Sequence, residues 1–299
     1  MKLWKIAVVA SLIALAGTAE WAVRTGPLSF VTGYFLSPIS EPHGTITLVE
    51  PTDSIRYFVY VPEGFDATDA GNTPLLVHLH GAMPFPWSVA KRMVNADLAA
   101  LAVSMEALAV ERDQPTPIII APYDGFGFSM WSDSSSGHVT VEADIVRKIM
   151  PSVAGQLNLR TSRENTWIQG FSMGGFGALK IGLKHPNLFS RVTSWDGAVH
   201  DWQTLNATRP QIVENMFASE SDFDRHSPWA SAEKLGRQNQ PTIQLFSGSM
   251  NAPSLYTAKF RAHLEALSIP FQFTETDCPH DIFCFMSQER VAAVYGRGE

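Results

Sequence analysis

Short apolar runs and longer amphipathic segments alternate along this chain. Runs such as 75–80 and 118–121 are rich in β-branched and aliphatic residues, which is typical of strands buried on both faces of a sheet. Segments such as 88–110 carry apolar residues at helical spacing, and Ser88 is placed to cap the first turn of that helix. The predicted strands are 45–49, 56–61, 75–80, 118–121, 166–169, 192–195, 242–246 and 271–274. The predicted helices are 88–110, 139–157, 173–183 and 255–267, with Pro151 breaking the second of them late.

The order of these elements predicts the fold class. Strands alternate with helices from residue 74 onward, which implies an α/β fold with a mostly parallel, twisted sheet and helices on both faces. The first two strands are expected to form an antiparallel pair that caps one edge. Residues 20–44 are interpreted as an extended leader, and residues 45–299 as one domain. Within that domain, 200–240 is polar and irregular, as expected of a cap-like insertion over the carboxyl edge of the sheet, where ligands bind in such folds.

The first 19 residues have the pattern of a secretory signal peptide. Lys2 and Lys5 precede a nearly continuous apolar stretch, and the next charge comes only at Glu20. That stretch is shorter than the roughly 20 apolar residues of a membrane-spanning helix. Small residues at 17–19 are typical of a cleavage site, and we expect cleavage after Ala19 and a periplasmic or secreted mature protein. An uncleaved anchor is the alternative.

Composition narrows the function classes. With 45% hydrophobic and 17% charged residues among 299, the chain fits a globular protein rather than a disordered one. Its net charge of −7 offers no basic surface for nucleic acid. The sequence contains no paired-histidine metal motif, and Gly125 and Gly127 lack the third glycine of a dinucleotide-binding loop. These patterns give no sign of a metal site or of a dinucleotide-binding loop.

The two cysteines, Cys278 and Cys284, are predicted to form a disulfide. An exported chain enters an oxidising compartment, where disulfides persist, and the two residues are six positions apart. Two free, partly buried thiols are the alternative.

Three segments carry candidate chemistry. Residues 170–174 fit G-x-S-x-G between a predicted strand and a predicted helix, the setting of a nucleophile elbow with Ser172 exposed on the turn. The segment after strand 75–80 is placed as an oxyanion loop, in which the backbone N–H of Ala82 would act with that of Met173. His280 follows the last strand, where the general base of such a fold belongs.

With these motifs the chain resembles the esterase D / antigen 85 family of α/β-hydrolases, which includes feruloyl and acetyl esterases and mycolyltransferases. The similarity runs from about residue 45 to 287. It is carried by His80-Gly81, Ala121-Pro122 followed by Trp131, the block 169–179, His185-Pro186 with Phe189, Ser227-Pro228 and His280-Asp281. The resemblance implies an α/β-hydrolase fold and ester hydrolysis or acyl transfer through a serine acyl-enzyme, without a cofactor.

The triad acid departs from the family pattern. The family usually has an aspartate at the end of a G-x-x-D turn after the penultimate strand, and this chain has Asn251 there. Asp196, at the end of the preceding strand, also belongs to the carboxyl edge and is our prediction for the acid. Asn251 itself could orient the histidine, as asparagine does in some cysteine proteases. A different carboxylate, such as Asp201 or Asp224, could also serve as the acid, or the protein could be catalytically weak.

These features together predict an exported serine esterase. An acyltransferase of the same chemistry and a catalytically weak binding module on the hydrolase fold are the alternatives. The expected partner is a small-molecule or saccharide ester, with no nucleic acid and no stable membrane span after signal cleavage. Aromatic residues near the site can form core or pocket wall, and we predict that Trp131 and Phe171 contact the substrate.

Overall fold

The computed structural model describes residues 41–248 and 252–296 of the chain. The predicted signal peptide, most of the predicted leader and Asn251 lie outside the described residues. The described part is built around one sheet of eight strands. The strands are β1 (Thr45–Val49), β2 (Tyr57–Val61), β3 (Leu75–Leu79), β4 (Ile118–Pro122), β5 (Thr166–Phe171), β6 (Arg191–Trp195), β7 (Thr242–Gly248) and β8 (Gln272–Thr276).

The strand order is β1-β2-β4-β3-β5-β6-β7-β8. β1 pairs antiparallel with β2, and β2 pairs antiparallel with β4, whereas the other neighbours are parallel. The predicted antiparallel pair at one edge and the mostly parallel sheet are thus confirmed. Across the centre, Phe171 of β5 is in register with Trp195 of β6, which is in register with Phe246 of β7. The carboxyl ends of these three strands therefore meet at one edge.

The helices cover both faces of the sheet. They are α1 (Trp87–Arg112), α2 (Val141–Asp144), α3 (Met150–Gln156), α4 (Met173–Lys184), α5 (Trp202–Thr208), α6 (Pro210–Met216), α7 (Glu220–Arg225), α8 (Pro228–Glu233), α9 (Ala252–Ala266), α10 (Ile282–Phe285) and α11 (Gln288–Tyr295). A π-helical segment, Ile145–Ile149, joins α2 to α3, and a short 3-10 helix spans Ala70–Asn72.

Two details of the helix predictions are wrong. α1 begins at Trp87 with Pro86 at the N-cap, so Ser88 lies inside the first turn and does not cap it. Pro151 does not break its helix, because it lies in the first turn of α3, directly after the π-helical segment. The chain is helical from Val141 to Gln156, and the wider π-helical turn lies where the proline ring and its missing N–H would disrupt regular α-helical hydrogen bonds.

The core has two layers, because successive side chains of each strand point to opposite faces of the sheet. Leu75, Val77 and Leu79 of β3 point to one face, against α4, while Leu76 points to the other, with α1 and α11. Every residue of β3 is buried, as its apolar run predicts. By length and composition α1 could cross a membrane, but 61% of its apolar stretch is buried inside the protein, as in the core helix of a globular fold.

The segment 200–240, predicted to be irregular, folds into the four short helices α5 to α8 and contains no strand. Polar side chains at the N-caps explain three of them, since Asp201, Ser219 and Ser227 each accept a hydrogen bond from a backbone N–H in the first turn. These helices are six or seven residues long. Isolated helices of that length are unstable in water, so tertiary packing must support them.

Candidate active site

Ser172 occupies a strained turn between β5 and α4. Its φ of 55° and ψ of −117° lie outside the regions that a serine favours. A Cβ atom on Gly170 would lie 2.1 Å from the carbonyl oxygen of Gly174, and one on Gly174 would lie 1.9 Å from that of Leu79. Only glycine fits at both positions, which gives the G-x-S-x-G spacing its physical reason and holds the serine at the carboxyl edge.

His280 lies in the loop after β8 and reaches Ser172. Its Nε2 atom is 2.9 Å from Ser172 Oγ, and its side chain is 30% exposed. The imidazole can therefore accept the serine proton while one part of the ring remains open to solvent.

Asp196 completes the arrangement. It directly follows β6, its side chain is fully buried, and its Oδ2 lies 2.6 Å from His280 Nδ1. Its Oδ1 accepts hydrogen bonds from the backbone N–H of Gly248 at 3.0 Å and from the Ser247 hydroxyl at 3.3 Å. A carboxylate at this position favours the tautomer of His280 that donates from Nδ1 and leaves Nε2 as an acceptor facing Ser172 Oγ.

The structure brings Asp196 to the histidine, whereas Asp201 and Asp224 have different surroundings. Asp201 caps α5 and pairs with Lys259 at 2.8 Å. Asp224 lies on α7, where its backbone carbonyl accepts a hydrogen bond from the Ser227 hydroxyl.

The predicted oxyanion loop lies against the serine. A Cβ atom on Gly81 would be 3.3 Å from Ser172 Cβ, so the loop passes directly beside the nucleophile. The next residue, Ala82, precedes Met83, whose N–H donates to the carbonyl of Gly127 at 3.0 Å. No described residue accepts a hydrogen bond from the N–H of Ala82. That N–H is therefore available for a ligand beside the serine.

The side chain of His80 packs against this loop on its buried side. It is buried, its Nδ1 lies 2.5 Å from the carbonyl oxygen of Gly81, and the Trp131 indole donates to the carbonyl of His80 at 3.2 Å. Burial lowers the pKa of His80, although Asp124 opposes this shift, and the ring is therefore neutral. In the neutral ring Nδ1 therefore donates to the Gly81 carbonyl, and Nε2 accepts from the backbone N–H of Asp124, whose nitrogen lies 3.5 Å away.

Trp131 and Phe171 lie behind the site rather than on its wall. Both side chains have 0% exposure, so the prediction that they contact the substrate is corrected. The indole is packed under α4, where a Cβ atom on Gly177 would be 2.5 Å from the Cβ of Trp131. Phe126 is instead 55% exposed, and with Phe128 it lines a cleft of about 120 Å³.

A buried ion pair near the site was missed by the sequence reasoning. Lys180 of α4 is fully buried, its Nζ lies 2.9 Å from Glu142 Oε2, and it donates to the carbonyl of Trp131. Burial would raise the pKa of the Glu142 carboxyl, but the cations around it hold that pKa well below its usual range. Lys180 thereby anchors a turn in which Met130 and Trp131 both have positive φ, 51° and 53°. The available signal was a lysine in the middle of the otherwise apolar stretch 173–183.

The predicted disulfide is present between Cys278 and Cys284. It closes the loop that carries His280, two residues after the first cysteine. Within the loop, the Asp281 side chain caps α10 by accepting a hydrogen bond from the N–H of Phe283 at 3.1 Å. The bridge and the cap both restrict the segment from which the imidazole projects.

The eight-stranded, mostly parallel sheet, with its serine on a strand-to-helix turn, defines an α/β-hydrolase fold. The model of the Esterase family matches residues 50–281, most of the described chain. The protein belongs to that family, which makes it a hydrolase of the esterase class, and the predicted resemblance is confirmed. A comparison with curated proteins gave no match.

Several solved structures share the fold. A ferulic acid esterase is 16% identical with a TM-score of 0.64, over 86% of this chain and 99% of that one. An S-formylglutathione hydrolase (FrmB) from Staphylococcus aureus is 18% identical with a TM-score of 0.63, over 85% and 98% of the two chains. MPT51 (FbpC1) from Mycobacterium tuberculosis is 15% identical with a TM-score of 0.60, over 85% and 100%. At such low sequence identity, these structural similarities show that the fold is shared.

Proposed function

We propose that the protein hydrolyses carboxylic esters through a serine acyl-enzyme. Ser172 is the nucleophile, His280 the general base and Asp196 the acid. The continuous hydrogen-bonded chain from Ser172 Oγ to His280 and on to Asp196, at 2.9 and 2.6 Å, is the observation that carries this proposal.

The reaction follows from this geometry. Ser172 Oγ bonds to the ester carbonyl carbon as its proton passes to His280 Nε2, and the backbone N–H groups of Ala82 and Met173 stabilise the oxyanion. The imidazolium then gives its proton to the oxygen of the leaving alcohol, the C–O bond breaks, and an acyl-enzyme remains. A water molecule then attacks the acyl carbon while its proton passes to His280 Nε2. The bond from that carbon to Ser172 Oγ breaks, His280 returns the proton to Oγ, and the carboxylic acid is released. Asp196 stays ionised and stabilises the imidazolium throughout.

Labelling tests the proposed nucleophile directly. A fluorophosphonate probe should add once to the folded protein, and peptide mass analysis should place the label on Ser172. Ser172→Ala should take no label and should not hydrolyse p-nitrophenyl acetate. A folded wild-type protein that neither takes the label nor hydrolyses short activated esters contradicts the proposal.

The same residues would serve acyl transfer to an alcohol in place of water, and product analysis with sugar and lipid alcohols separates the two outcomes. A non-catalytic module was suggested only by Asn251. The contact of Asp196 with His280 supports catalysis instead.

We also propose that the helices of segment 200–240 form a cap that helps to enclose a small-molecule or saccharide ester. In support, Ile212 and Met216 of α6 face Phe126 and Phe128 across the 120 Å³ cleft. Exchanging Met216 for serine should change the preference among acyl chains more than it changes acetate hydrolysis.

Export is part of the proposal. The disulfide Cys278–Cys284 supports an oxidising compartment, and the sequence of the first 19 residues supports a signal peptide. N-terminal sequencing of the protein from the periplasm or medium of its host should begin at Glu20. Recovery only from membranes, with Met1 retained, would indicate an uncleaved anchor.

A further inference from the structure

The side chain before the serine lies under the proposed base. Phe171 ends β5, has 0% exposure, and stacks on the imidazole of His280 with ring centroids 4.7 Å apart and planes inclined by 29°. The aromatic ring therefore presents its face, and not its edge, to the imidazole.

Neighbouring groups fix the position of this ring. A Cβ atom on Gly81 would lie 3.3 Å from Phe171 Cδ1, so the ring touches the oxyanion loop. The Phe285 ring packs against it with a centroid distance of 5.9 Å. These contacts hold the ring between the oxyanion loop and the core.

The faces and edges of His280 meet different partners. Asp196 Oδ2 lies at Nδ1 and Ser172 Oγ at Nε2, both at the ring edge. Asp281, the next residue, faces α10, because its carboxylate accepts the N–H of Phe283. Phe171 covers one ring face. The face of an aromatic ring is electron-rich and attracts a cation placed over it.

We propose that Phe171 is a positioning residue that stabilises the His280 imidazolium through its ring face. This rests on the proposed function, since the imidazolium forms when His280 takes the Ser172 proton. Asp196 stabilises the same cation at the edge, so the two residues act on it from different directions. The contribution is greater in the transition state than in the resting enzyme, where the imidazole is neutral, and it therefore raises turnover.

Replacing Phe171 by fluorinated phenylalanines tests this role, because the ring keeps its shape while its face loses negative potential. Incorporation of 4-fluoro-, 3,5-difluoro- and pentafluorophenylalanine should lower kcat in that order, by about two- to five-fold in total. The acid limb of the kcat/KM profile should move to lower pH by about half a pH unit in the same order, because the imidazolium holds its proton less tightly. KM should change little.

The same analogues at Phe260 provide a matched control, because that ring is also fully buried but packs against Trp229. Substitution there should leave kcat and the acid limb unchanged. A Phe171 series with full hydrolysis, a wild-type acid limb and no ordered fall in kcat would overturn the role of Phe171 while leaving the serine mechanism intact. Failure of the wild-type protein to take the fluorophosphonate label would instead overturn the proposed function.

Discussion

Exchanging Asp196 for asparagine should nearly abolish turnover, and the surrounding donors explain why. The Gly248 N–H and the Ser247 hydroxyl both donate to Oδ1 of Asp196, so the carbonyl oxygen of an asparagine must take that place. Its amide group then faces His280 Nδ1 and can only donate. Nδ1 becomes the acceptor, the ring proton moves to Nε2, and Nε2 can no longer accept the proton of Ser172. The wrong tautomer costs on the order of 10⁴-fold in kcat in serine hydrolysis, or about 5 kcal/mol.

Steady-state hydrolysis of p-nitrophenyl acetate and the rate of fluorophosphonate labelling should both fall for Asp196→Asn, with little change in melting temperature. Asp201→Asn is the matched control, because that carboxylate caps a helix and pairs with Lys259 without reaching the histidine. A rate for Asp196→Asn within ten-fold of wild type would refute the reasoning. If Asn251→Ala costs more than Asp196→Asn, Asn251 is the residue that orients His280.

The disulfide, the buried ion pair and a buried histidine can each be tested by substitution. Cys284→Ser should lower the free energy of unfolding by about 2 kcal/mol and lower kcat more than about ten-fold, because displacing a catalytic group by ~1 Å can cost ~10²-fold. An unchanged kcat in reduced, folded protein would contradict this. Lys180→Met should lower the free energy of unfolding in urea by about 3–5 kcal/mol, since it leaves Glu142 buried with less compensation. Arg112→Met, which removes one partner of the exposed pair with Glu111, should cost less than about 1 kcal/mol. Burial lowers the pKa of His78 to about 3, so the unfolded chain takes up a proton below pH 6.5 that the folded protein does not. The free energy of unfolding should therefore fall by about 2 kcal/mol between pH 6.5 and 5. This fall should be absent in His78→Gln.

The sequence carried enough information for the main elements of the fold. Uninterrupted apolar runs such as that of β3 indicate a buried strand without any knowledge of the tertiary structure. The helices of 200–240 could not be predicted in the same way, because each has only about two turns and depends on a capping side chain and on packing from elsewhere.

Positions in the site were predictable where they follow from topology. Ser172, Asp196 and His280 each come directly after a parallel strand or in the loop that follows it, and such ends share one edge of the sheet. The location of Trp131 and Phe171 was not predictable, because an aromatic side chain at a strand end or turn can point into the core or towards the ligand. The direction depends on neighbours distant in sequence, such as Gly177 above Trp131.

The separate N-caps of α5, α7 and α8 have a consequence for how this protein can diverge. Each of these helices starts from its own polar side chain, whereas the groups that would perform the chemistry stand on β5, β6 and the loop after β8. Replacement or lengthening of one short helix leaves the starting signal of the next in place and does not displace a strand. If this segment forms the proposed cap, its helices can be altered one at a time to change substrate preference while the strand ends that hold Ser172 and Asp196 keep their places.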